Sequence, residues 1–96
     1  MTTGRPSDAY YASAKTSIVN GRYALAIQQL RAARERDPRD ERVMNALGVV
    51  YDKLGRFDLS KRYYAEAAAI APASEFVLHN IAYSQRLQSA RPDRKS

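Results

Sequence analysis

Cysteine is absent from this 96-residue chain, which excludes a disulfide framework and a thiolate metal site. Glycine and proline are scarce, four of each, while apolar residues make up 45%. That balance belongs to an ordered globular domain, and the length allows only one small core. No apolar run approaches the roughly 20 residues that cross a bilayer. The opening residues, MTTGRPSDAYY, lack the apolar stretch of a secretory signal. The expectation is a cytoplasmic protein, or a periplasmic one if this is a domain excised from a longer precursor.

Catalytic constellations are missing too. There is no glycine-rich phosphate loop and no G-x-S-x-G turn. His79 is the single histidine. Glu75 lies one helical turn before it, but no third metal ligand is visible. The reading is of a non-enzyme, with no cofactor and no metal.

Charge is the first positive signal. The net charge is +6, and twelve of the sixteen basic residues are arginine. This gives a modest attraction to acidic partners, nucleic acid or anionic lipid. Acids are interleaved with the bases, as in RAARERDPRDER from Arg31 to Arg42, a pattern that marks a solvated helix end and turn. A basic surface using Arg31, Arg34, Arg36, Arg39 and Arg42 to bind nucleic acid or another anionic partner is the alternative reading.

The strongest pattern is internal repetition. Gly21-Arg22-Tyr23 returns as Gly55-Arg56-Phe57, and Pro38 returns as Pro72, both at one common offset. Ala26, Leu30 and Ala33 correspond to Ser60, Tyr64 and Ala67 at that same offset. Within the second unit Met44, Leu47, Gly48, Tyr51 and Leu54 recur at helical spacing on one face.

The offset is the length of a helix–turn–helix repeat. These residues resemble the tetratricopeptide repeat, whose signature is a bulky residue, Leu-Gly, an aromatic, Ala, an aromatic and Pro. The second unit reads Met44-x-x-Leu47-Gly48-x-x-Tyr51, then Ser60-x-x-x-Tyr64, then Pro72. The first unit reads Tyr10-x-x-Ser13-Ala14-x-x-Ser17, then Ala26-x-x-x-Leu30, then Pro38; its two serines predict a first helix that packs poorly or frames an end. A third begins as Leu78-x-x-Ile81-Ala82-x-x-Gln85. The second unit is also similar to bacterial repeat proteins that help assemble secretion systems or Flp-type pili.

The resemblance implies an all-α superhelix of helical hairpins. Five helices are expected, over Ser7–Asn20, Tyr23–Arg36, Asp40–Leu54, Phe57–Ala71 and Ser74–Gln88. Asp40 and Ser74 serve as N-caps, Gly55 as a left-handed helix end, and Pro72 forces Ala71 out of helical geometry. A glycine inside a helix costs about 1 kcal/mol against alanine. Gly48 therefore makes sense if a neighbouring helix presses on the backbone there, with Tyr51 and Tyr64 filling the space around it. The domain reading is a disordered leader over 1–6, repeats over 7–40 and 41–74, a capping helix or half repeat over 75–88, and a disordered basic tail over 89–96.

Such stacks imply an inner wall formed by the first helix of each unit. Its expected residues are Tyr11 and Lys15; Arg42, Asn45, Val49 and Asp52; and His79, Asn80, Tyr83 and Arg86, with Phe76 alongside. The asparagines suit a peptide backbone, the tyrosines its side chains, and Lys15 and Arg86 a carboxylate. The basic clamp by which some family members hold chaperone tails is not matched, since its positions fall on Tyr11, Lys15, Ala46, Phe76 and Asn80. The function implied is a non-catalytic adaptor binding a protein segment. A second copy of the chain, or a neighbouring domain absent from this sequence, is a further expected partner, because the fifth helix is rather apolar for a cap.

Overall fold

A computed structural model describes residues 4–90. Within them lie five α-helices and no strand: α1 (Asp8–Val19), α2 (Tyr23–Arg36), α3 (Glu41–Lys53), α4 (Phe57–Ile70) and α5 (Glu75–Ala90). The all-α reading holds, and the helix limits fall within a residue or two of those expected. Two differences occur at the ends. α5 runs to Ala90, past the expected stop at Gln88, because nothing before Pro92 interrupts it. Arg5, expected in a loose leader, pairs with Asp37 at 3.1 Å and Asp40 at 3.2 Å. The rest of the two expected tails, 1–3 and 91–96, lies outside the described residues.

Local chemistry sets the turns. Gly21 and Gly55 have φ of 75° and 74°, a left-handed geometry that a side chain would strain. At the end of α3 the Gly55 N–H donates to the Asp52 carbonyl and the Arg56 N–H to the Tyr51 carbonyl. This is a Schellman closure that satisfies carbonyls the helix leaves open. Ahead of Pro38 and Pro72, Asp37 and Ala71 take non-helical angles and stop α2 and α4. Asp40 accepts the Arg42 N–H, and the Ser74 hydroxyl oxygen accepts the Val77 N–H, as N-caps should.

These short turns fold the chain into hairpins α1–α2 and α3–α4, and α3 touches every other helix. The main core joins Ala14 of α1, Ala26, Leu30 and Ala33 of α2, and Val43, Leu47 and Val50 of α3. A smaller cluster joins Met44, Ala67 and Val77 across α3, α4 and α5. The weak first helix still seats: Ala14 is fully buried, and the buried Ser17 hydroxyl donates to Gln29 at 2.7 Å.

Gly48 is the tightest point. A Cβ there would fall 2.5 to 2.8 Å from three ring carbons of Tyr64, closer than real contacts allow. The ring cannot swing away, because Tyr64 is buried and its hydroxyl donates to Asp52 at 2.8 Å. Tyr51 does not sit on Gly48 in this way; it stacks on Tyr63, centroids 5.7 Å apart.

Gly48→Leu gains about 1 kcal/mol in helix propensity and loses more to overpacking. Overpacking at the upper end of its usual range of ~1–3 kcal/mol leaves a net loss of about 2 kcal/mol in urea unfolding. A variant as stable as wild type would show that the two helices do not press together there.

Candidate functional site

α1, α3 and α5 stand side by side, with α3 touching both of the others. Two polar joints set their spacing. At the first, Arg42 of α3 donates to Asp8 of α1 at 2.6 Å and to Asp40 at 2.8 Å. The Ser7 hydroxyl donates to the same Oδ2 of the buried Asp40 carboxylate, while the Arg42 Nε–H reaches Oδ1. At the second, the buried Asp52 carboxylate accepts from Tyr64 of α4 and, at 2.7 Å, from Ser84 of α5.

Ionisation follows from these partners. The hydrogen bond from Arg42, with one from the Arg5 backbone, holds the Asp8 carboxyl below its ordinary range. Burial alone would raise Asp40, but hydrogen bonds from Arg42 and Ser7 outweigh it and bring its pKa down. Burial, then the bond to Asp52, drives the Tyr64 phenol upward, so it stays a neutral donor. Burial likewise raises Tyr11.

The expected wall residues divide into three groups. Tyr11, Lys15 and Arg42 come together: the Lys15 ammonium lies 5.5 Å and the Arg42 guanidinium 4.6 Å from the Tyr11 ring centroid, within cation–π range. Tyr83 and Arg86 form a similar exposed pair on α5 at 5.8 Å, with His79 exposed and Asn80 half-buried on the same helix. The α3 group departs from expectation. Asn45 and Asp52 are buried, and Val49 is half-buried, not the exposed valine expected. Asp52 uses both carboxylate oxygens internally, so it positions α5 and is not open to a ligand. Asn45 differs: its Oδ1 is buried without a hydrogen-bond partner, the only such side-chain atom among the described residues.

The Ser7–Asp40–Arg42–Asp8 joint was missed from the sequence. Asp8 and Arg42 carry opposite charges at equivalent positions of successive units, and that is the signal that would have found it. The arginine run from Arg31 to Arg42 proves largely engaged. Arg34 pairs with Glu66, Arg36 lies over the Tyr10 ring, and Arg42 is held as described. No group of three or more histidine, cysteine or carboxylate side chains among the described residues could hold a metal.

Two hairpins in phase, with a glycine seated against the following helix, already have the geometry of one repeat family. Residues 41–74 match the family model of the tetratricopeptide repeat. The α3–α4 hairpin is a tetratricopeptide repeat, and the five-helix fold fits a protein of that type. No curated protein matches the chain. The matched segment is the α3–α4 hairpin, and α1–α2 precedes it as a second helical hairpin closed by the same left-handed glycine turn. Repeats of this kind are typically non-catalytic protein-interaction modules. No helix among the described residues is long and apolar enough to cross a membrane.

Asp8 and Asp40 bind protons less readily folded than unfolded. Their contribution is complete above an unfolded carboxylate pKa of about 4 and is lost as pH falls through the folded values. The urea midpoint should therefore drop steeply below about pH 4, and Asp40→Asn should flatten the drop. An equal decline in both proteins would show that Asp40 does not couple pH to stability.

Proposed function

We propose that this chain is an adaptor that holds an extended segment of a partner protein along the wall of α1, α3 and α5. The observation that carries the reading is the Asn45 side chain. A buried acceptor without a partner costs about 1–3 kcal/mol, and nothing within the fold repays it. It lies on the central helix of the wall, beneath the surface between the Tyr11–Lys15–Arg42 cluster and the Tyr83–Arg86 pair, so a bound backbone completes it by parting the flanking helices. Aromatic faces beside exposed cations at either end suit side chains of mixed character. Asn80 and His79 extend the polar surface along α5.

Assembly of a multiprotein complex, such as a bacterial secretion or pilus system, is the setting that the repeat's wording favours. Association through α5 belongs to the same reading, because Phe76, Leu78 and Tyr83 are about half exposed there. Binding of nucleic acid through the arginine run has less support, since three of its five guanidinium groups are already engaged.

Asn45→Leu separates a binding role from a packing one. It removes the orphaned acceptor at similar volume, so stability should rise by about 1 kcal/mol. Capture of the native partner from extract should be lost, at low and high salt alike. Unchanged capture would remove the wall from the account, and capture that vanishes only with salt would point to charge attraction.

A further inference from the structure

One side of α5 repeats a seam that is closed elsewhere. Leu78, Ile81, Ala82 and Gln85 stand one repeat length beyond Met44, Leu47, Gly48 and Tyr51, the side of α3 on which α4 lies. Val77 and Ser84 turn inward against α3 and α4. Leu78 stays 49% exposed, Gln85 and Arg86 are exposed, and Ala82 is half-buried. A shallow open depression runs along Ala82, Gln85, Arg86, Ser89 and Ala90. Among the described residues no helix beyond α5 covers this face, which leaves a leucine exposed amid polar side chains.

The seam also carries charge in a fixed order. Glu75 and Arg86 are separated by close to three helical turns, so they share one stripe. Both are exposed, and neither joins an ion pair among the described residues. The stripe therefore reads acid, leucine, alanine, base from one end to the other. Reversed, it complements itself.

We propose that a second copy of the chain closes this seam, the two α5 helices packing antiparallel about a two-fold axis beside residue 80. The proposal rests on the reading of α5 as an association surface and adds the register in which two copies meet. In that register Leu78 of each copy lies over Ala82 of the other, a large side chain on a small one. The same register brings Glu75 of each copy to Gln85 and Arg86 of the other. Size and charge thus select one alignment independently, and every contact occurs twice, as an isologous interface requires.

The absence of native cysteine makes engineered thiols specific reporters. Leu78→Cys and Ala82→Cys proteins, mixed and oxidised, should give a crosslinked heterodimer in excess of either homodimer. Light scattering at high micromolar concentration should give the mass of two chains for wild type. Glu75→Arg should weaken the dimer about ten-fold or more, and Glu75→Arg with Arg86→Glu should restore it. A single-chain mass for wild type would overturn the proposal at the level of association. A two-chain mass with Leu78→Cys crosslinking mainly to itself, or no rescue by the double swap, would overturn the register. Arg86 belongs to both surfaces, so the wall reading is tested apart from the seam, by partner capture with Asn45→Leu, which leaves Arg86 in place.

Discussion

The contact between the Gly48 backbone and the Tyr64 ring is the constraint on which the other parts depend. It sets how closely α4 approaches α3 and leaves the Tyr64 hydroxyl beside Asp52. Asp52, fixed from one side, then accepts the Ser84 hydroxyl and so places α5. A missing methyl group, a ring and one carboxylate thus connect three helices in series. Each link is short-range, in keeping with a repeat stack in which each unit is held by its neighbours.

The two ends of the stack are held by different physics. At the α1 end, Arg5, Ser7, Asp8, Asp40 and Arg42 form a charged joint whose central carboxylate is buried. Breaking one member of such a network leaves the others unpaired, so it fixes α1 firmly even though that helix has few large apolar residues. At the α5 end the corresponding positions are Ser74 and Phe76 in place of Asp40 and Arg42, and no ion pair forms among the described residues. There the helix relies on Val77, Ile81 and the Ser84 hydroxyl. The open seam lies at the end with the fewer polar locks.

Most of the fold was legible in the sequence because periodicity, glycine and proline act locally. The offset from Gly21 to Gly55 and from Pro38 to Pro72 fixes hairpin ends whatever packs around them. The wall was less legible. Equivalent repeat positions identify which side of a helix a residue occupies, but not whether neighbouring helices close over it. Asp52 was expected on an open surface; two hydroxyls from α4 and α5, 12 and 32 residues away, draw it inside. Burial of Asn45 between flanking helices, and the engagement of Arg42 by Asp8, likewise depend on contacts across units. Lys15 on α1, and Tyr83 and Arg86 on α5, met no such competition and stand exposed where helical spacing put them.

The most direct test of this chain of contacts is amide hydrogen exchange in Tyr64→Phe, which removes one hydroxyl and no carbon. If the tyrosine orients Asp52 for Ser84, protection should fall selectively across α5, while α1 and α2 keep theirs. Unchanged protection of α5 would contradict the account, as would a uniform loss across all five helices.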